Sequence, residues 1–161
     1  MLPVRTMLHP TDFSDPAVYA LDMASALARD YSARLVVLHV YHLPPVFAGE
    51  GMVPAASDEL RAEADEQLQR LQLPHANLRV ERRLKERDAA NEILQVSEES
   101  NTDLIVVGTH GRTGLRRVLV GSVAEQVVRQ AACPVVTVSA PYPQPAIGTT
   151  NAGSMAAAGP L

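Results

Sequence analysis

One cysteine among 161 residues excludes an internal disulfide. Cys133 lies among apolar neighbours, where a small packing residue is expected rather than a nucleophile. Apolar runs are short, and none approaches the roughly 18 residues a membrane span requires. The opening Met1-Leu2-Pro3-Val4-Arg5 leads into a strand pattern without the apolar core of a signal peptide. Positive charge is not in excess: 14 Lys and Arg against 18 Asp and Glu leave a formal charge of −4, which argues against a general nucleic-acid binder. No set of His, Cys, Asp and Glu has metal-ligand spacing, so no structural metal is expected. The chain has no internal repeat and no sign of a second domain. What remains is one domain, expected in the cytoplasm, with 47% hydrophobic residues and enough length for a real core.

The apolar pattern predicts strands alternating with helices. Val4 to His9 reads as a first strand, stopped by Pro10. Ser14-Asp15-Pro16 is a helix-start signal, and Ala17, Ala20, Leu21, Ala24, Leu27, Ala28 and Tyr31 then recur at helical spacing. Leu35 to Tyr41 is a continuous apolar run, as in a strand buried on both faces. After a Pro- and Gly-containing loop over residues 43–55, a charged helix is expected from Ser57 to Leu71, with Leu60, Ala64, Leu68 and Leu71 on one side. Leu78, Val80, Arg82 and Leu84 alternate with charged residues, which suits a sheet edge. A helix over Asp88–Glu99, a buried strand over Leu104–Val107, a helix over Ser122–Ala132 and a strand over Pro134–Val138 complete the domain, residues 1–140. Such alternation implies an α/β fold, a parallel sheet with helices on both faces. The stretch 141–161 is uncharged and rich in Pro, Gly, Ala, Ser and Thr, and is expected to be a disordered tail.

The most informative pattern is Gly108-Thr109-His110-Gly111, nine residues, then Gly121-Ser122. It joins a buried strand to a helix N-terminus, a place where bare backbone amides can approach a phosphate and the helix dipole adds positive charge. Amides from Gly108 through Gly111 and from the Gly121–Val123 turn are the candidate donors. Each glycine alone is equally an ordinary loop residue. Ser122-Val123-Ala124-Glu125 also reads as a capping box, a role compatible with a hydroxyl donating to phosphate.

Residues 3–139 resemble the universal stress protein family. The likeness rests on Pro10-Thr11-Asp12-Phe13-Ser14 after the first strand, on the Gly108/Gly111/Gly121-Ser122 spacing, and on Cys133-Pro134-Val135-Val136. The resemblance implies an open five-stranded parallel sheet of order 3-2-1-4-5, Rossmann-like and of the adenine nucleotide alpha hydrolase type. Its crevice would lie between the first and fourth strands, where the strand order reverses. The full glycine motif implies the ATP-binding branch, with ATP (or ADP or AMP) as ligand and Mg2+ carried on phosphate oxygens. By the same resemblance Asp12 and the backbone of Val40 meet the base and ribose end, and Pro10 and Val107 form crevice wall with Thr11 beside them. Asp12 has an alternative role as a turn or cap residue. His110 and Arg112 join the phosphate-loop set, and Arg116 and Arg117 are as well read as solvated as they are as phosphate-neutralising. His9 and His39, at strand ends, are read as packing or hydrogen-bonded residues.

The resemblance also implies a homodimer through Val135–Val138, an apolar edge strand that needs cover. The function expected is an ATP-binding, homodimeric stress-response module with a further protein partner. There is no Walker A lysine, positioned base or acid pair for two metals, so a dedicated enzyme is not expected. Two alternatives stay open: an enzyme using adenine nucleotide, through slow hydrolysis or nucleotidyl transfer, and a dimeric scaffold with an empty pocket.

Overall fold

Five short apolar or edge-patterned strands, the first four each followed by a helix, settle into one parallel sheet. The computed structural model describes residues 3–42, 54–109 and 121–139. The elements run β1 Thr6–Thr11, α1 Asp15–Asp30, β2 Arg34–Tyr41, α2 Pro54–Arg70, β3 Arg79–Glu86, α3 Ala89–Glu99, β4 Leu104–Gly108, α4 Ser122–Gln130 and β5 Val135–Val138. The sheet order is β3-β2-β1-β4-β5, with every pairing parallel. Residues 43–53 of the loop expected over 43–55, together with His110, Gly111, Arg112, Arg116, Arg117 and the stretch 141–161 expected as a tail, lie outside the described residues.

Period-two alternation sends successive residues to opposite faces of the sheet. On one face Met7, Leu35, Val37, Val106 and Val138 bury against Ala20, Leu21, Ala24 and Ala28 of α1 and Leu68 of α2. On the other, Leu8, Val36, Leu38, Ile105 and Val107 bury against Ala90, Ile93 and Val96 of α3 and Ala124 and Val127 of α4. The small alanines on α1 let that helix lie close over the central strands. Of its expected stripe only Tyr31 departs, since it serves as the C-cap and is 43% exposed. Cys133 is half-buried, with its Sγ 3.7 Å from Ser97 Oγ.

Edge strand β3 carries its charges in pairs: Arg83 bridges Glu81 and Glu99, while Arg82 donates to the Leu68 and Leu71 carbonyls at the end of α2. Asp103 anchors the start of β1 by accepting from the Arg5 and Thr6 amides at 2.8 and 2.9 Å.

Most boundaries shift from the sequence expectation by one or two residues, and three of the shifts have a clear physical reason or consequence. Pro10 does not stop β1, which continues to Thr11 in register with β2. A proline removes the donor on one side of a strand only, and here the amides of His9 and Thr11 serve the β2 side. Helix α2 begins at Pro54, a residue suited to a helix's first turn, rather than at Ser57. Helix α4 ends at Gln130, short of Ala132, where the chain turns extended at Ala131.

Candidate functional site

Strand β1 stays paired with β2 through Thr11, and β4 stays paired with β5 through Gly108. Between β1 and β4 the parallel register runs only over Met7–Leu104 and Leu8–Ile105. Beyond that point the two central strands part, and a crevice of about 260 Å³ opens at their C-terminal ends. Pro10, Thr11 and Asp12 form one lip; Val107, Gly108 and Thr109 form the other. Leu38, Val40, Ala89 and Ile93 supply an apolar side, and Gly121 to Ala124 bring the start of α4 to the opening.

Backbone bonds fix that last element. The Thr109 amide donates to the Val138 carbonyl at 2.9 Å, and the Gly121 amide donates to the Thr109 carbonyl, so the ends of β4, β5 and α4 are tied together. Gly121 is the N-cap of α4, and its carbonyl accepts from the Glu125 amide at 2.8 Å. The expected capping box is therefore absent. Ser122 is already the first helical residue, no side chain caps the helix, and the Glu125 carboxylate pairs with Arg129 at 2.9 Å. Consequently the amides of Ser122, Val123 and Ala124 have no intrahelical acceptor, and the Ser122 hydroxyl is not used as a cap.

On the opposite lip a tight turn orients Asp12. Its Oδ1 accepts from the Ser14 amide at 3.0 Å and from the Ser14 hydroxyl, while Thr11 Oγ1 accepts from the Phe13 amide at 3.1 Å. Ser14 is the N-cap of α1 by position, but its hydroxyl serves Asp12 rather than the helix. Phe13 holds a left-handed φ of 61°, sparsely populated for a bulky residue. Its ring rests on His39, centroids 4.4 Å apart, and the His39 Nδ1–H donates to the Thr11 carbonyl at 2.8 Å.

A profile of the Universal stress protein family matches residues 3–139. The chain belongs to the universal stress protein family. Universal stress protein MJ0531 of Methanocaldococcus jannaschii is 36% identical over 142 residues, spanning 85% of this chain and 83% of that protein. The solved structure of MJ0577, from the same organism, superposes with a TM-score of 0.78 at 26% identity, covering 88% of this chain and 99% of that one. A universal stress protein crystallised in complex with cAMP superposes with a TM-score of 0.55 at 25% identity, covering 84% and 97%.

In this universal stress protein the crevice brings together nine residues singled out from sequence: Pro10, Thr11, Asp12, Val40, Val107, Gly108, Gly121, Ser122 and Val123. His110, Gly111 and Arg112 fall outside the described residues. Sequence reasoning missed Leu38, Ala89 and Ile93 as lining residues, and with them Ala17 and Ala124, whereas Thr109 falls within the Gly108–Gly111 stretch already named. The first three are apolar residues that read as plain core, and only the fold shows that β2 ends and α3 begins beside the opening. Among the described residues, no group of three or more His, Cys, Asp or Glu is placed to hold a metal ion, and no helix is long and apolar enough to cross a membrane.

Gly108 has a reason for being glycine apart from any ligand. A Cβ there would stand 3.0 Å from the backbone C and O of Pro16 and 3.3 Å from the Ala17 amide nitrogen. Backbone cannot swing aside as a side chain would. Gly108→Ala should therefore cost about 1–3 kcal/mol of stability by overpacking. Urea denaturation checks this, and an unchanged midpoint would contradict the close approach of α1.

His9 lies fully buried behind the crevice, its Nδ1–H donating to the Val106 carbonyl at 2.9 Å, and its Nε2 has no partner. Burial dominates and lowers its pKa from 6.5 to about 4, against the opposing pull of the Val106 bond and of the Asp12 charge. An unfolded chain takes up the proton near 6.5 and the folded chain only near 4. Between those values the unfolded state binds the extra proton, so stability falls as the pH drops through that window and is unaffected by His9 above it. The loss from pH 7 to pH 5 should be about 2 kcal/mol. His9→Asn, which keeps a donor but does not titrate there, should lose less by that amount. Parallel pH profiles of the two proteins would refute it.

Proposed function

We propose that this crevice binds an adenine nucleotide, with ATP as the ligand, and that the protein works as a nucleotide-responsive stress module. The observation carrying the reading is the uncapped start of α4, which offers the Ser122, Val123 and Ala124 amides and the Ser122 hydroxyl at the mouth of a crevice with an apolar side. Helix N-terminal amides and the dipole behind them suit phosphate. The Gly108/Gly111/Gly121-Ser122 spacing belongs to the same argument, with Gly111, His110 and Arg112 as the remaining phosphate-side residues. Leu38, Val40, Ala89 and Ile93 suit the flat face of a base, and Asp12, held in its turn, suits ribose hydroxyls as an acceptor. A carboxylate at that end stays away from the phosphates it would repel. The cAMP complex of a related universal stress protein supports an adenine nucleotide as the ligand class. Magnesium would travel on the phosphate oxygens and water rather than on a protein ligand set.

Binding rather than turnover is the reading because Asp12 is the sole ionisable side chain among the described residues lining the crevice. The protein would pair as a homodimer through β5, where Val135 and Val136 remain half-buried at the sheet edge with no strand beyond them among the described residues. ATP occupancy would then bias the segment between Gly111 and Gly121 and change the surface offered to a protein partner, in the cytoplasm.

Gly121→Val tests the site. Gly121 has φ −64° and ψ 154°, an extended conformation open to any residue, so the substitution need not unfold the chain. ATP affinity, measured by isothermal titration calorimetry, should fall at least about tenfold while the melting temperature without ligand changes little. Equal affinity in the variant would remove the phosphate from this end of α4.

A further inference from the structure

The place where β1 and β4 part is set by two adjacent residues with complementary deficits. The register pairs Leu8 with Ile105, and in a parallel ladder the next donor from β1 toward β4 is the amide of residue 10, aimed at the Val106 carbonyl. Residue 10 is proline and has no amide hydrogen. Val106 is fully buried, so its carbonyl has no recourse to water. The neighbouring His9 supplies the missing donor from its side chain, Nδ1–H to the Val106 carbonyl at 2.9 Å. Because a carbonyl only accepts, the imidazole must carry its proton on Nδ1, and the unpartnered Nε2 is the bare nitrogen.

We infer that Pro10 and His9 are a positioning pair that sets the width of the crevice: proline ends the β1–β4 ladder one rung early, and the imidazole satisfies Val106 without a backbone rung. A direct amide–carbonyl rung would hold the strands at the usual spacing of about 4.8 Å for one more residue pair. That would carry Pro10 and its successors Thr11 and Asp12 toward Val107 and Gly108, the two lips of the opening. The His9 side chain bridges instead and leaves the lips apart. Neither residue need touch the reactive part of a ligand for this to matter. The consequence for affinity rests on the nucleotide reading above, whereas the rung itself does not.

The pair is testable because the deficits are interchangeable. Pro10→Ala restores a backbone donor, His9→Leu removes the side-chain donor, and His9→Asn keeps an N–H near the Nδ1 position. His9→Leu alone should lower the melting temperature, since it strands a buried carbonyl. The double variant Pro10→Ala/His9→Leu should regain most of that loss, while His9→Asn should stay near the parent in both stability and binding. In Pro10→Ala an NMR coupling across the new hydrogen bond should link the residue 10 amide to the Val106 carbonyl. ATP affinity of Pro10→Ala and of the double variant should fall about tenfold or more although both remain stable. The inference is overturned if no bond forms from residue 10 to Val106, if the double variant is no more stable than His9→Leu, or if Pro10→Ala forms the bond and binds ATP as the parent does. A parent protein that fails to bind ATP sinks the nucleotide reading alone, because the coupling and the stability cycle still decide whether the pair sets the rung.

Discussion

A buried carbonyl must find a donor, and at Val106 that requirement shapes the end of the sheet where the crevice lies. Up to Ile105 the demand is met by the β1–β4 ladder. One residue later proline cannot meet it, and a side chain does. The sheet stays knitted on both outer sides, β1 to β2 and β4 to β5, while its middle opens. A crevice at a strand-order reversal is a general feature of open α/β sheets. Here its depth follows from where donors run out.

The elements around the opening are fixed by bonds that cost the crevice nothing. Thr109 is tied to β5, Gly121 to Thr109, and Asp12 to Ser14, so the lips are held by backbone and turn geometry rather than by side chains that would fill the space. Gly108 belongs to this frame: its missing Cβ admits the first turn of α1 against the end of β4. The left-handed Phe13 and the His39 ring beneath it are a second point of rigidity at the same end. Preorganisation of this sort reduces what a ligand must order on binding.

Much of this was legible in the chain. Alternating apolar runs and helical stripes gave the α/β class, and the family resemblance supplied the strand order, which agrees with buried central strands and a charged, half-exposed β3. The glycine spacing and the Pro10-Thr11-Asp12 run pointed to the two lips. Less legible were features that depend on which neighbour a backbone group faces. Pro10 reads as a strand stop until the β2 and β4 sides of β1 are told apart. Ser122 and Glu125 satisfy a capping-box pattern, yet the helix starts after Gly121 and Glu125 turns to Arg129. Leu38 and Ile93 have no local signal at all, since apolar residues facing a cavity look the same in sequence as apolar residues facing a helix.

The most direct measurement follows backbone amide shifts of the ¹⁵N-labelled protein during titrations with ATP and, separately, with adenosine. If the bare amides of α4 receive the polyphosphate, ATP moves Ser122, Val123 and Ala124 strongly, adenosine leaves them nearly still, and both ligands move Val40 and its neighbours. Shifts from ATP that avoid the start of α4, or that adenosine reproduces there in full, would contradict the account.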